Sequence, residues 1–503
     1  MSVSRSKILV AGGYNIMSRR TKNLPIIGLL VLVVVMISSI SGCIKSETTA
    51  PTTSPTIGQP ASSPTPKIEE HEGEKFIAKI DFSSGFPKSF KVSPDSRRVA
   101  YAAIDGGKIV VVDGKKEKPY DNLGKDLIFS PDGKHLAYGA KQGDNWFVVV
   151  DEKEEKRYDD FAEDTIIFSP DSNRIAYAAK EGGKWFLVVD GKEGKKYDDI
   201  GTGFRISFSP DSKGIAYVAV EGAKMFVVVD GIEQKPYDSI GNITFSPDSK
   251  KVAYAAKEGE KHFVVVDGKE EKRYDGIMAK APIFSPDSNR IAYYAKEGAK
   301  LFVVVNGIEQ KPFDGTGNTL IFSPDSQRVA YNAFEGGKWF VVVNGKEEKR
   351  YDGIMAGTPI FSPDSNRLAY GVREGAKTFA VLDEKEEKRY DEVDSVIFSP
   401  DSKRLAYGAV DRGKQFVVVD GIEEKQYDGV LTGTLTFSPD NKRFAYVAKV
   451  GMESQVVVDE KEGKKYDSIV TVNGGKIIFD SPDSLHYLAL KDSSIYLVQE
   501  RID

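Results

Sequence analysis

A serine and an aspartate recur together along this chain, in the pentapeptide FSPDS and its close variants. A serine nucleophile needs a neighbouring base, most often histidine, and the four histidines, at positions 71, 135, 262 and 486, stand in unrelated contexts. An active site also needs unlike groups that converge, whereas these serines and aspartates are equivalent in every copy. We therefore interpret the motif as a turn, in which proline fixes one backbone angle and the polar side chains satisfy backbone groups. The copies lie around Pro94, Pro131, Pro170, Pro210, Pro247, Pro286, Pro324, Pro363, Pro400, Pro439 and Pro482.

Other signatures of catalysis or metal binding are absent from the sequence. It contains no HExxH, no metal-spaced cysteine pair, no phosphate-binding loop and no GxSxG. We predict no catalytic residue, no metal site and no cofactor. An active site assembled from single residues of several repeats remains an alternative. The formal net charge is -5 and the bases are interspersed with acids, so we expect no binding to nucleic acid.

The first 42 residues differ from the rest of the chain because they carry basic residues, no acid, and the apolar run IIGLLVLVVVMI. Such a run is too short to cross a bilayer as a helix and suits the core of a signal peptide. The sequence ISGC that follows resembles the lipobox of exported lipoproteins, which implies that Cys43 becomes a lipid-bearing N-terminus. An uncleaved anchor is the alternative, and translation could also start at Met17. Either form of attachment predicts that the rest of the chain lies outside the cytoplasmic membrane.

Residues 43–74 are dominated by threonine, serine and proline. Such a composition provides too little apolar surface to fold. The predicted organisation is therefore a lipoprotein signal peptide over residues 1–42, an extended tether over 43–74 and a repeat domain over 75–503.

The repeat domain has a period near 40 residues, since successive prolines of the SPD motif lie 37 to 43 residues apart. Each unit contains four short strand-forming segments separated by turn signals, among them Asp190-Gly191, which is typical of a type I′ hairpin. In the unit that begins at Phe168, the predicted fourth strand is KEGKKYD. Four antiparallel strands in about 40 residues form one blade of a β-propeller. The last unit lacks a fourth strand, and EKFIAKID at 74–81 could supply it. We predict an all-β propeller of about eleven four-stranded blades, with a single large ring favoured and two adjoining propellers as the alternative.

The sequences SPDSNRIAY, SPDSKRLAY and SPDSQRVAY resemble the repeat of TolB-type, WD-like β-propellers. The resemblance recurs in every unit of the repeat domain and implies the same propeller fold. Serine replaces the glycine that this family usually carries after SPD, and Gly133 is the exception.

Variation in length is concentrated in one part of the repeat. The distance from the SPD proline to the aromatic residue of the Tyr-Asp pair is almost constant, whereas the segment between that pair and the next first strand varies from SIGNIT to SIVTVNGGKII. In a propeller these segments share a face with the turns between the second and third strands. Loops on a rigid scaffold commonly carry function, so we predict that the interaction surface lies on this face.

One position near that face changes from unit to unit, directly before the third-strand phenylalanine. Its side chains form a candidate ligand-facing set, with ordinary packing as the alternative, at Trp146, Trp185, Met225, His262 and Trp339. The lysines that precede this position could form a cationic ring, which we expect glutamates in the same turns, such as Glu181 and Glu258, to neutralise in large part. Asn242 begins the sequon Asn-Ile-Thr and is a candidate for surface glycosylation.

The predicted function is that of a lipid-anchored, extracytoplasmic β-propeller. It would bind a protein or a surface polysaccharide on the variable face without catalysing a reaction, and it would contact the membrane only through its N-terminal lipid. One alternative is a carbohydrate-active enzyme or lyase with a site at the mouth of the channel. Another is a structural element of the cell surface.

Overall fold

The computed structural model describes residues 73–80, 89–201, 206–278 and 282–502. The proposed signal peptide, Cys43 and almost all of the proposed tether lie outside these residues. The described chain is all-β, with one short 3₁₀ turn at Glu163–Thr165. No helix in the described ranges is long and apolar enough to cross a membrane.

Eleven antiparallel four-stranded sheets make up the described chain, and in ten of them the strands follow one another in sequence order. We number them as blades 1 to 11 from the N-terminus. The first strands, several of them in two pieces, are Lys91–Val92, Asn122–Phe129, Asp160–Phe161 with Ile167–Phe168, Asp199–Ile200 with Ile206–Phe208, Ser239–Phe245, Gly276–Ile277 with Ile283–Phe284, Gly315–Phe322, Gly353–Ile354 with Ile360–Phe361, Glu392–Phe398, Gly429–Phe437 and Ser468–Ile469 with Ile478–Ser481.

The second and third strands are uninterrupted in every blade, unlike the first. The second strands are Val99–Ile104, Leu136–Gln142, Ile175–Glu181, Ile215–Glu221, Val252–Glu258, Ile291–Glu297, Val329–Glu335, Leu368–Glu374, Leu405–Asp411, Phe444–Val450 and Ser484–Lys491. The third strands are Lys108–Val112, Asn145–Val150, Lys184–Val189, Lys224–Val229, Lys261–Val266, Lys300–Val305, Lys338–Val343, Lys377–Leu382, Lys414–Val419, Glu453–Val458 and Ser494–Arg501.

The fourth strands are shorter than the sequence suggested. In ten blades two residues pair directly after the hairpin, and the tyrosine or phenylalanine of the Tyr-Asp pair then makes an isolated bridge back to the third strand. The paired segments are Lys115–Lys116, Lys153–Glu154, Lys192–Glu193, Ile232–Glu233, Lys269–Glu270, Ile308–Glu309, Lys346–Glu347, Lys385–Glu386, Ile422–Glu423 and Lys461–Glu462. Blade 11 instead takes its fourth strand from the N-terminal segment Glu74–Lys79, which confirms the predicted closure.

Alternation along each strand builds the interfaces between blades, because successive side chains point to opposite sheet faces. In blade 3, Tyr177 and Ala179 pack against blade 2, whereas Ala176 and Ala178 pack against blade 4. A bulky aromatic face of one blade thus meets a small-residue face of the blade before it. The hairpin predicted at Asp190-Gly191 is also present, with both residues at positive φ.

The core consists of eleven apolar clusters; ten of them join blades that are consecutive in the chain, and the eleventh joins the last blade to the first. The cluster that contains Tyr487 joins blade 11 to blade 10, and the cluster that contains Leu488 joins blade 11 to blade 1. A chain of interfaces that returns to its start forms one closed ring. The single ring favoured from the sequence is therefore confirmed, and the alternative of two adjoining propellers is wrong.

The recurrent SPD motif forms both a turn and a link between blades. Ser169 donates its hydroxyl to Asp171 at 2.6 Å, and the backbone N–H of Ser172 donates to the Ser169 carbonyl at 2.8 Å, as a β-turn requires. The last serine of the motif has a further role, because Ser212 Oγ in blade 4 accepts a hydrogen bond from the Asp171 N–H in blade 3 at 2.9 Å. At the ring closure Ser96 Oγ accepts from the Lys476 N–H at 2.9 Å.

Candidate binding face

The turns of each blade separate onto two faces of the ring. On one face the SPD turn lies beside the third-to-fourth hairpin, as in blade 3, where Arg174 Nε donates to Asp190 Oδ2 at 2.9 Å. We call this the SPD face. On the other, the second-to-third turn meets the segment after the Tyr-Asp pair, and the Gly182 N–H donates to Asp159 Oδ2 at 2.8 Å. We call this the loop face, and it carries the connections that vary in length.

The structure places the five candidate ligand-facing residues near the loop face, one in each of five blades. All are half-buried, and each makes a backbone bridge to the aromatic residue of its own Tyr-Asp pair. Because they lie on the third strands of five different blades, they do not converge into one site. Their role as a ligand-facing set stays a prediction.

Protein contacts already engage several of these side chains. The Trp146 ring lies 5.2 Å from the Phe161 ring of the next blade, and the Trp339 ring lies 5.1 Å from Phe334. The Lys180 ammonium lies 5.3 Å from the centre of the Trp185 ring. At His262, Nδ1 lies 3.1 Å from the Asp275 carbonyl. Met225 packs against the apolar cluster between blades 4 and 5.

The lysines that begin the third strands form ion pairs with partners that the sequence did not suggest. Lys184 Nζ lies 2.7 Å from Asp198 Oδ1, the aspartate of the Tyr-Asp pair, and 3.6 Å from the turn carboxylate of Glu221. The turn glutamate of the same blade, Glu181, instead pairs at 2.7 Å with Lys196, which directly precedes the bridging Tyr197. Hydrogen bonding from the Gly222 N–H, together with Lys184, lowers the pKa of Asp198. The same ion pair with the aspartate that follows the bridging aromatic residue recurs at Lys224, Lys261, Lys300, Lys338, Lys377 and Lys414.

The physical reason for this difference lies in the isolated bridge at the tyrosine. The bridge brings the next residue, an aspartate, directly over the second-to-third turn, where a backbone N–H and a lysine both reach it. We expected the turn glutamates to neutralise the lysines that begin the third strands. The principal counter-charge is instead the aspartate of the Tyr-Asp pair.

Asn242, the candidate glycosylation site, lies in the first strand of blade 5 and is half-exposed. The register between the first and second strands of that blade shifts between Ile240 and Ile243, so the asparagine lies in a bulge. Its modification stays a prediction.

A cavity of about 450 Å³ lies between the first strands of blades 10 and 11, and it was not predicted from the sequence. Its polar walls are the threonine-rich stretch Thr432–Thr436 and, from the connection into blade 11, Thr471 and Lys476. This connection, SIVTVNGGKII, is the longest of the variable segments, and its length is the feature of the sequence that could have indicated the cavity. The structure adds that the longest variable segment lines a cavity together with the first strand of blade 10.

Backbone contacts hold the loop that lines this cavity in place. The Val92 N–H of blade 1 donates to the Asn473 carbonyl at 3.1 Å. A Cβ atom at Gly475 would lie 2.1 Å from the Val470 carbonyl oxygen, so no larger residue fits there. On the opposite wall, Thr434 donates its hydroxyl to the Leu431 carbonyl at 2.6 Å and accepts from the Val447 N–H at 2.9 Å. Hydrogen bonds thus fix both walls of the cavity, which is preformed in the structure.

No group of three or more potential metal ligands occurs in the described parts of the chain.

No protein-family model and no curated protein matches the sequence. Among solved structures, 469 chains match. A crystal structure described as the eukaryotic initiation factor has 16% identity over 63% of this chain and 91% of that chain, with a TM-score of 0.39.

Two further solved structures have the same low identity. The β-propeller domain of the Trilobed protease from Pyrococcus furiosus, described as having an open velcro topology, is 16% identical over 53% of this chain and 94% of that chain, with a TM-score of 0.27. Dihydro-heme d1 dehydrogenase NirN in complex with DHE is 16% identical over 64% of this chain and 80% of that chain, with a TM-score of 0.30. Likenesses this distant carry no argument about function.

Proposed function

We propose that this protein is a lipid-anchored, extracytoplasmic β-propeller that binds a protein or a surface polysaccharide through its loop face and the adjoining channel rim. The observation that carries the proposal is the cavity between blades 10 and 11. It is preformed, it is lined by the longest variable connection, and it combines hydroxyl groups with one ammonium group. Concave sites with a few polar groups on a rigid scaffold are typical binding sites.

Binding without catalysis is supported by the nature of the groups around the cavity. The Thr471 hydroxyl and the Lys476 ammonium can donate hydrogen bonds to the oxygens of a sugar or a peptide, whereas the Thr432 and Thr434 hydroxyls already donate within the protein. The residues that line the cavity include no carboxylate and no histidine, and general acid–base chemistry most often uses such groups. Attachment to the membrane is supported by the lipobox-like sequence that ends at Cys43.

The test compares matched variants on the two faces of the ring. The Thr471→Arg and Lys476→Glu variants change the cavity, whereas Lys213→Glu changes a lysine in an SPD turn whose side chain is 86% exposed. Purified wild-type and variant proteins are applied to arrays of surface polysaccharides and to surface-protein extracts, and each captured ligand is then titrated.

We expect both cavity variants to weaken binding at least tenfold and the SPD-face variant to leave it unchanged. Loss of binding in the Lys213→Glu variant alone would contradict the assignment of the loop face. Turnover of a captured polysaccharide by the wild type would instead favour the alternative of a carbohydrate-active enzyme.

A further inference from the structure

The third-to-fourth hairpin on the SPD face departs from the Asp-Gly pattern in three blades. Glutamate replaces the glycine in blades 2, 8 and 10, at Glu152, Glu384 and Glu460, with φ values of 66°, 66° and 63°. Residues other than glycine are disfavoured in this left-handed region. Three glutamates at equivalent, unfavourable positions point to a shared role for their carboxylates.

Each of these glutamates faces a second one that belongs to the preceding blade. In blades 1, 7 and 9, the residue after the paired segment of the fourth strand is Glu117, Glu348 and Glu424. Two carboxylates thus meet in a cleft between adjacent blades. Like charges repel, so a cation between the two carboxylates favours the ionised form of both.

A lysine of the chain itself supplies that cation in two of the three clefts. Lys346 Nζ lies 2.6 Å from Glu384 Oε1 and 3.6 Å from Glu348 Oε1. In the equivalent cleft Lys115 Nζ lies 2.9 Å from Glu152 Oε1. Both lysines are the first residue of a fourth strand. The ammonium group therefore bridges two blades at the edge of the SPD face.

The third cleft, between blades 9 and 10, has Ile422 at this lysine position, and the isoleucine is 67% exposed. A cavity of about 250 Å³ opens there, lined by Arg404, Val419, Glu424, Phe444, Tyr446, Asp459 and Glu460. Within the described chain, the buried Oε2 atom of Glu424 has no hydrogen-bond partner. The Tyr446 hydroxyl also has none, although this residue is 0% exposed.

The other charged groups around this cavity already have partners elsewhere. Arg404 Nε donates to Asp420 Oδ2 at 2.9 Å, and Asp459 Oδ1 accepts from the Phe444 N–H at 2.9 Å. Burial, followed by the neighbouring Glu460, raises the pKa of Glu424 to about 7. A carboxyl group with such a pKa would lose its proton readily when a cation arrives.

We propose that the cleft between blades 9 and 10 binds a lysine side chain of a protein partner, whose ammonium group takes the place that Lys346 and Lys115 occupy in the sibling clefts. The ammonium nitrogen has three hydrogens, which match the Glu424 and Glu460 carboxylates and the Tyr446 hydroxyl oxygen. Val419, Phe444 and the exposed Ile422 provide apolar surface for the methylene stem. An amino sugar has no such stem and fits this cleft less well.

The probe for the test is Nα-acetyl-lysine N-methylamide, and its Nε-acetylated form is the uncharged control. Binding to the full chain is measured by saturation-transfer NMR titration near pH 8, above the pKa of Glu424. We expect saturable binding of the charged probe at one site and at least tenfold weaker binding of the control probe.

Three substitutions at equivalent positions test the geometry. Ile422→Lys supplies an internal ammonium and should weaken probe binding at least tenfold. Ile308→Lys is the matched control, because its cleft carries Gln310 and Gly345 where blades 9 and 10 carry two glutamates, and it should change nothing. Lys346→Ile empties a sibling cleft and should raise the stoichiometry from one site to two.

Both isoleucines are exposed, so the lysine variants are expected to fold, and thermal melts verify this. The proposal is overturned if the wild type shows no saturable binding of the charged probe, or if the Ile422→Lys variant binds it as the wild type does. Equal binding of the acetylated probe would also overturn it.

Discussion

A carboxylate at the start of the N-terminal strand contacts the neighbouring blade where the ring closes, and its contribution to closure can be measured. Glu74 Oε1 lies 2.5 Å from Lys464 Nζ and accepts the Tyr466 hydroxyl at 2.6 Å. The Glu74 side chain is only 5% exposed, whereas Lys464 is 40% exposed. We predict that Glu74→Gln loosens the strand Glu74–Lys79, which has no covalent continuity with the rest of its blade.

The magnitude follows from burial. Breaking a buried ion pair costs about 3–5 kcal/mol, and exposed pairs contribute about 0–1 kcal/mol. Because the lysine reaches solvent and glutamine still accepts a hydrogen bond, we expect a cost of about 2 kcal/mol. This corresponds to about 30-fold more frequent opening of the strand.

The assay is amide hydrogen exchange of residues 74–79 and of their partners in Ser494–Arg501, since exchange reports local opening. Glu423→Gln is the matched control, because Glu423 makes the same contacts, with Lys388 Nζ at 2.6 Å and the Tyr390 hydroxyl at 2.9 Å, inside a continuous part of the ring. We expect no change at the closing strand in this control. An increase below threefold in the Glu74→Gln variant, or an equal increase in both variants, would refute the reasoning.

Three further predictions concern separate parts of the chain. Cys43→Ala should move the protein from the membrane fraction to the soluble fraction, and an unchanged distribution would contradict lipidation. Ser212→Gly suits the left-handed backbone but loses the bond to the Asp171 N–H, so its melts should show a loss of about 1 kcal/mol. Because the folded pKa of Glu424 is about 7 and its unfolded value 4.5, stability should fall as pH rises between these values. Solvent screening limits the fall to about 1 kcal/mol, and melts of Glu424→Gln from pH 4 to 8 should lack it.

Much of the fold was predictable because the information is local and repeated. The alternation in IAYAA, the turn residues of SPDS and the hairpin pair Asp190-Gly191 each act over a few residues, and the repetition averages out ambiguity in single copies. The contribution of the N-terminal strand to blade 11 was predictable because the last repeat lacks a fourth strand. The fourth strands were predicted too long, since pairing there stops after two residues and resumes only at the tyrosine bridge.

The candidate sites were less predictable because they depend on contacts between blades. Trp146 and its equivalents were chosen for their variability along the sequence, which does not reveal that Trp146 packs on a phenylalanine of the next blade. The cavity lined by Thr471 and Lys476 combines two segments about 40 residues apart. The cleft at Glu424 differs from the two equivalent clefts because it lacks their lysine, and this difference is evident only when the three clefts are compared.

The sequence by itself determined the class of architecture, the number of blades and the segment that closes the ring, because period and turn chemistry act through short-range backbone geometry. Only the tertiary structure decided that the blades form a single ring, because closure depends on how the aromatic face of every blade packs on the small-residue face of the blade before it. Tertiary packing also decided which charges meet. Lys184 pairs with Asp198, and Glu424 keeps a buried oxygen without a partner, because blade stacking brings together groups that the linear pattern leaves apart.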